Sequence, residues 1–486
     1  MTCLALTLLV SVDAFGAAVA PPAPHGVVPS ARQLQWHERE FYCFVHFTIN
    51  TFTDKEWGYG DESPELFNPT DFDAAQIVGA AKEAGMRGLI LTCKHHDGFC
   101  LWPSKFTRHS VAASPWKDGK GDVVREFSDA CRAAGLSFGV YLSPWDRNHA
   151  EYGRPAYVEY FRNQLRELLT EYGPIFEVWF DGANGGDGWY GGARETRKID
   201  AAAYYGWETT RELVRELQPD AVMFSDIGPD IRWVGNESGF AGEPCWATYS
   251  PEGRGGEPPA PGQTEYKLGE TGVRNGRYWM PAEVDVSIRP GWFYHKQQDG
   301  EVRTPENLMK LYFESVGRGA SFLLNLPPDR RGRIHENDAA SLREFGRRLR
   351  ALFDTDLAKG AAAEASNVRG GDPVYAAARV LDGDKGTYWC PDDGVTTPEL
   401  VLTLPRETTF DVVSLREHLP LGQRVDAWAL DRWTGAAWEE FARGMSIGAR
   451  RLWRGEVVTT DKVRLRIVKA AACPALSEFS LHLQKP

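Results

Sequence analysis

No two cysteines of this chain stand in a CxxC pair, and no HExxH or GxxxxGK[ST] segment occurs in its 486 residues. These absences remove the usual zinc and redox spacings, a zincin-type metal site and a phosphate-cradling loop. Positive charge is also short. Lys and Arg number 55 against 67 Asp and Glu, a formal net charge of −12, which disfavours a general nucleic-acid binder. Beyond the first twenty residues no run is apolar for long enough to span a bilayer, and no internal repeat occurs. The cysteines (Cys3, Cys43, Cys93, Cys100, Cys131, Cys245, Cys390 and Cys473) are too widely spaced for a disulfide framework. They read as small buried hydrophobes, with one bridge, Cys93 to Cys100, left as a candidate.

What is present fits a globular protein of one large and one small domain. Seventeen tryptophans are numerous enough to offer stacking faces for sugar rings. At the N-terminus, Leu4 to Val10 is mostly apolar and Val12 to Ala20 is small and apolar apart from Asp13 and Phe15. Ala18-Val19-Ala20 has the form of a cleavage site before Pro21-Pro22. Residues 1–20 therefore read as a signal peptide, although no Lys or Arg precedes Asp13, and the expected location is periplasmic or extracellular.

From Phe41 the chain alternates short apolar runs with amphipathic stretches. Strands are expected over 41–47, 87–92, 137–141, 175–180, 221–225 and 321–326. Helices are expected over 73–84, 123–134, 156–172, 208–218, 308–316 and 336–352. Residues 227–306 read as less regular, and the Gly/Pro-rich stretch 251–262 as a surface loop bordering a cleft. Several strands end in polar groups: His46, His95-His96, Tyr141, Asp181 and Asp226. Functional groups at many strand ends fit the active face of a (β/α) barrel better than the single switch point of an open sheet. The expected architecture is a (β/α)8-like TIM barrel over 31–355. A C-terminal all-β sandwich follows over 360–486, where helical periodicity gives way to short strands and turns.

Asp181 is the sharpest candidate for chemistry. The apolar run Val178-Trp179-Phe180 leads into it and Gly182-Ala183 follow, so a carboxylate stands on a buried strand end with open space above. Paired carboxylates hydrolyse glycosidic bonds. Spacing alone leaves Glu56, Asp97, Asp226, Glu237, Glu243 and Glu283 open as the partner. Adjacent histidines on a strand end point to different sides, so His95-His96-Asp97 fits ligand contacts better than a metal, and no metal is expected at the site.

Five ordered segments carry a resemblance. They are His46-Phe47-Thr48-Ile49-Asn50-Thr51-Phe52-Thr53-Asp54-Lys55-Glu56-Trp57-Gly58, Lys94-His95-His96-Asp97-Gly98-Phe99, Trp179-Phe180-Asp181-Gly182-Ala183, the run from Ser225-Asp226 through Arg232-Trp233 to Asn236-Glu237, and Gly291-Trp292-Phe293-Tyr294-His295. Over residues 35–355 the sequence resembles the bacterial and plant α-L-fucosidases of glycoside hydrolase family 29. The first and fourth segments are similar to the subgroup preferring α-1,3/1,4-linked fucose on branched glycans. The resemblance implies a retaining exo-acting enzyme that requires no cofactor and acts on fucosylated oligosaccharides or glycoconjugates. Asp181 would be the nucleophile and Glu237 the acid/base. His46, Glu56, Trp57, His95, His96, Tyr141, Trp179 and Trp292 would bind the sugar, and Asp226 and Arg232 would organise the loop of Glu237. The alternatives are a glycosidase of another sugar and a non-catalytic carbohydrate-binding protein on the same barrel. The C-terminal part resembles galactose-binding-like, discoidin-type sandwiches through Ala365-Ser366-Asn367, Val380 to Trp389 and Gln423-Arg424-Val425. In such domains the Asp382-Gly383-Asp384 turn is a candidate structural calcium loop.

Overall fold

The computed structural model describes residues 19–484. The expected signal peptide falls outside them except for Val19 and Ala20, whose carbonyls accept from Tyr375 Oη at 3.1 Å and Arg369 Nε at 2.7 Å. Cys3 also lies outside. The other seven cysteines are buried and free, so the candidate Cys93–Cys100 bridge is absent.

Eight parallel strands form the first sheet: β1 (Phe41–Val45), β2 (Gly88–Lys94), β3 (Ser137–Leu142), β4 (Glu177–Trp179), β5 (Val222–Phe224), β6 (Arg232–Trp233), β7 (Ala282–Ser287) and β8 (Ser321–Asn325). Their order is β5-β4-β3-β2-β1-β8-β7-β6. A parallel bridge from Phe224 to Ile231 joins the two edges, so chain order runs once around a near-closed TIM-like barrel. Helices α1 (Ala31–His37), α2 (Ala74–Glu83), α3 (Val123–Ala134), α4 (Pro155–Glu171), α5 (Trp207–Leu217), α6 (Tyr266–Thr271), α7 (Pro305–Glu314) and α8 (Glu336–Phe353) accompany it. Local chemistry sets their ends. Asp73 and Asp122 accept from the N3 amides of α2 and α3, and Gly135 closes α3 at φ 74°. Pro155 and Pro305 open α4 and α7 at the position where a missing N–H costs nothing.

The segment 227–306 departs from the sequence reading, because it contains β6 and β7. β6 has two residues and no helix separates it from β5. In β7 the polar Glu283, Asp285 and Ser287 alternate with Val284 and Val286, so no continuous apolar run marks it. The same alternation in β4 turns Glu177 and Trp179 into the barrel and Val178 toward the helices. Inside the barrel, Tyr42, Phe44, Ile90, Tyr141, Trp179 and Phe224 belong to one apolar cluster. No helix among the described residues is long and apolar enough to cross a membrane.

The C-terminal domain is an antiparallel sheet of β9 (Ala362–Ala365), β10 (Glu399–Glu417), β11 (Val425–Trp433), β12 (Trp438–Met445), β13 (Arg451–Ala470) and β14 (Leu476–His482). What reads as separate short strands over 399–415 is one strand, β10. It pairs with the long strand β13 through two register shifts. Leu400 and Leu465 from one half and Val413 and Phe479 from the other share a single core, which is how the sheet packs against itself. In the Asp382-Gly383-Asp384 turn, Asp382 accepts from the Asp384 amide at 2.9 Å and Thr387 Oγ1 at 2.6 Å, and Asp384 accepts from the Gly386 amide at 2.8 Å. These carboxylates are engaged within the turn, and among the described residues no three acidic, His or Cys groups are arranged so as to hold a metal ion.

Two sets of contacts join the domains. Glu40, just before β1, pairs with Arg416 at 2.6 Å and Arg450 at 3.3 Å, and these guanidinium groups hold its carboxyl well below the usual range despite burial. Farther on, Glu243 pairs with Arg451 at 3.1 Å, the Cys245 amide donates to Ser446 Oγ at 3.4 Å, and the Ala247 amide donates to Gln423 Oε1 at 2.8 Å.

Candidate active site

A chamber of about 160 Å3 opens above the C-terminal ends of the barrel strands. It continues into an outer cavity of about 500 Å3. Six residues line both spaces and mark the throat between them: Trp57, Trp179, Asp181, Ala183, Glu237 and Asp285. The chamber alone is lined by His46, Glu56, His95, His96 and Trp292 together with Phe44.

Asp181 follows β4 by two residues, so the strand period aims it inward. Its Oδ2 accepts from Tyr141 Oη at 2.9 Å and its Oδ1 from the Ala183 amide at 2.7 Å. His96 Nε2 lies 3.8 Å from Oδ2. One donor thus fixes each oxygen of the carboxyl group while about a quarter of the side chain stays open. Glu237 stands exposed at the rim, four residues past β6, with Oε2 accepting from Trp292 Nε1 at 3.2 Å. Withdrawal of water by the cavity wall raises its pKa, the indole bond opposes this, and the charges of Asp181 and Glu56 add to the rise.

The three histidines are buried and neutral. Burial lowers His46 to about 3 and His96 to about 4, against the raising effect of Asp181 on the latter, and takes His95 well below its usual value. His46 Nδ1 bonds Asn325 Oδ1 at 2.8 Å, and the amide of Asn325 is oriented by donation to Ser287 and the Trp292 carbonyl. His96 Nδ1 lies 2.7 Å from Ser143 Oγ, whose own proton goes to the Trp145 carbonyl. In this network both Nδ1 atoms donate, which leaves Nε2 of each ring as an acceptor, and both residues line the chamber. Glu56 accepts from the Trp292 amide at 2.9 Å, the Phe293 amide at 3.3 Å and His295 Nε2 at 2.6 Å. His295 Nδ1 also reaches Asp54 at 2.7 Å. The rings supply apolar walls. Trp179 lies flat on Phe224 with centroids 4.1 Å apart, its Nε1 anchored on Glu283 at 2.7 Å, and Trp57 is 53% exposed at the mouth.

Geometry also sorts the carboxylates that spacing left open. Asp97 is buried outside both spaces and accepts from the Phe99 amide at 2.7 Å. Glu243 faces the C-terminal domain. Glu283 lies beneath the floor, where Tyr42 Oη donates to it and Glu177 shares its buried site. Asp226 lines the outer cavity and accepts from the Gly262 amide at 2.7 Å, and burial lifts its pKa to about 6. Arg232 is buried and fastens α6 through the Gly269 carbonyl at 2.9 Å and the segment before β7 through the Met280 carbonyl. Of the 251–262 loop, Gly262 forms part of the outer cavity. Sequence reasoning missed Asp285 and the positioning of Glu56 by His295. The Glu-Val-Asp-Val-Ser alternation over 283–287 was the available signal for Asp285.

Comparison with known proteins places this arrangement. The family profile described as alpha-L-fucosidase matches residues 24–352. The alpha-L-fucosidase 1 of Arabidopsis thaliana is 40% identical over 469 residues, covering 96% of this chain and 89% of its own. The crystal structure of a putative alpha-L-fucosidase from Bacteroides thetaiotaomicron is 40% identical with a TM-score of 0.86, covering 96% of this chain and 100% of that one. A glycoside hydrolase 29 fucosidase of Ruminococcus gnavus in complex with fucose is 32% identical with a TM-score of 0.84, over 96% and 97% of the two chains.

Proposed function

Because the chain belongs to the α-L-fucosidase family of glycoside hydrolases, we propose that it is a retaining, exo-acting enzyme that releases α-1,3/1,4-linked fucose from branched glycans. The observation that carries this reading is the placement of Asp181 and Glu237 together in the throat between a closed chamber and a wider cavity. A terminal fucose fills the chamber and the rest of the glycan occupies the cavity, whose larger volume supports a branched leaving group.

In the first step a carboxylate oxygen of Asp181 attacks the anomeric carbon. The glycosidic C–O bond breaks as Glu237 gives its proton to the leaving oxygen. A water then enters, Glu237 takes its proton, the hydroxyl oxygen bonds the anomeric carbon, and Asp181 leaves as a carboxylate. The electrostatics support the two roles of Glu237. While Asp181 is charged it raises the Glu237 pKa, which favours the acid. Once Asp181 is an ester that contribution is gone, which favours the base.

An inactive Asp181→Gly variant rescued by azide is the expected signature of the nucleophile; failure of rescue counts against it. Fucose release from a Lewis-type trisaccharide should exceed that from 2′-fucosyllactose and an aryl fucoside. Equal, fast release from all three would remove the linkage preference and leave the fucosidase activity intact. Export belongs to the same proposal, and Pro21 as the N-terminal residue of periplasmic or secreted protein is its test.

A further inference from the structure

Asp285 is buried, lines both spaces, and has no part in the two steps above. It stands on β7 two residues beyond Glu283, so the strand period turns both carboxyls into the barrel. Its Oδ1 accepts from Trp233 Nε1 at 2.7 Å. No protein group among the described residues bonds its Oδ2, and that oxygen is not one of the sealed, unpartnered atoms of the interior. It therefore faces the throat. Trp233 lines only the outer cavity. Its ring meets Tyr266 edge-on with centroids 4.8 Å apart, and the Arg254 guanidinium lies 3.9 Å over the Tyr266 ring. From the throat outward, Asp285, Trp233, Tyr266 and Arg254 make one braced wall.

A second acid/base is a poor description of Asp285. An acid/base exchanges its proton with water in every cycle, which suits the exposed Glu237. A buried carboxyl tied to an indole suits fixed recognition. We propose that Asp285 and Trp233 form the subsite for the sugar that leaves, with that ring resting on Trp233 and one of its hydroxyls bonded to the free oxygen of Asp285. The proposal rests on the reading that the scissile bond lies in the throat between Asp181 and Glu237. Burial and the neighbouring Glu237 charge favour the proton-bound form of Asp285, so its hydroxyl donates as well as accepts.

The test compares kcat/KM of the full-length enzyme on a Lewis-type trisaccharide and on an aryl fucoside, which lacks a leaving sugar. Asp285→Ala should lose roughly tenfold more on the trisaccharide than on the aryl fucoside, the scale of one lost hydrogen bond. Asp285→Asn keeps an acceptor for Trp233 and places an amide donor where the hydroxyl stood, so it should restore most of the selectivity. Trp233→Leu should repeat the selective loss, and it carries the test if Asp285→Ala does not fold. Equal losses on both substrates would overturn the proposal, as would unaltered selectivity in Asp285→Ala. A shift of the basic limb of the pH profile without a change in selectivity would overturn it too, by assigning Asp285 to the tuning of Glu237. Failure of the linkage reading shows separately, as equal rates of the wild-type enzyme on all substrates, and leaves the variant-to-wild-type ratios readable.

Discussion

Tyr141→Phe removes one of the two donors that hold the Asp181 carboxylate, the 2.9 Å bond from its hydroxyl. The Ala183 amide at 2.7 Å remains, so the carboxylate stays oriented and the ring still packs. A hydrogen bond to a charged group contributes about 1.5–3 kcal/mol and one to a neutral group about 0.5–1.5 kcal/mol. In the retaining mechanism proposed above Asp181 passes from carboxylate to ester, so the lost bond destabilises the free enzyme relative to the covalent intermediate by about 1–1.5 kcal/mol, near tenfold. The second step, which re-forms the carboxylate, carries that penalty. We expect kcat to fall several-fold and KM to fall with it, with kcat/KM changing less. Mixing the variant rapidly with an activated aryl fucoside should release close to one equivalent of aryl alcohol before the slow steady state. Burial and the Asp181 charge keep the Tyr141 hydroxyl protonated well above its usual range, so the effect should be independent of pH from neutral to alkaline conditions. A proportional loss of kcat and kcat/KM without a burst would refute the reasoning.

Two further outcomes follow from buried charge. Glu177 and Glu283 share one site beneath the floor; burial raises both above the usual carboxylate range, the charge of Glu283 adds to the rise of Glu177, and bonds from Glu177, Tyr42 and Trp179 oppose it at Glu283. Raised carboxyls favour folding most below their unfolded pKa of about 4.3 and progressively less as pH rises toward the folded values. Glu177→Gln cannot ionise, so its melting temperature relative to wild type should climb between pH 4 and pH 8; a flat difference would contradict the shared-proton picture. His295 differs in sign. Burial opposes its charge, yet the bonds to Asp54 and Glu56 raise its pKa. Its contribution is full below about pH 6.5 and fades as pH rises through the folded value. The KM of His295→Gln should therefore exceed wild type by up to roughly tenfold at acid pH and converge with it at alkaline pH, as a paired KM–pH series would show.

Much of the barrel was legible because its strand-end residues announce themselves. His46, His95, His96 and Asp181 each follow an apolar run, and the structure gathers them around one chamber. β6 and β7 were not legible. Two residues carry no period, and a strand with carboxyls on its inner face looks irregular when judged by apolar content. Asp285 was lost with β7. Glu237 lies on a loop, where no periodicity points anywhere, and only the family resemblance singled it out. The same resemblance left calcium open at Asp382-Gly383-Asp384, where Asp382 accepts from an amide and a hydroxyl and Asp384 from an amide, bonds that no residue count reveals.

Glu237 leaves the barrel at β6, and the chain that bears it comes to rest a few residues later on the C-terminal sheet, through Glu243, Cys245 and Ala247. The proposed acid thus hangs like the deck of a bridge whose two piers belong to different domains. Its height above Asp181 depends on how the second domain seats, although no residue of that domain reaches the chamber. The sheet that looks like a passive annex is in this sense one of the two supports that aim the proton.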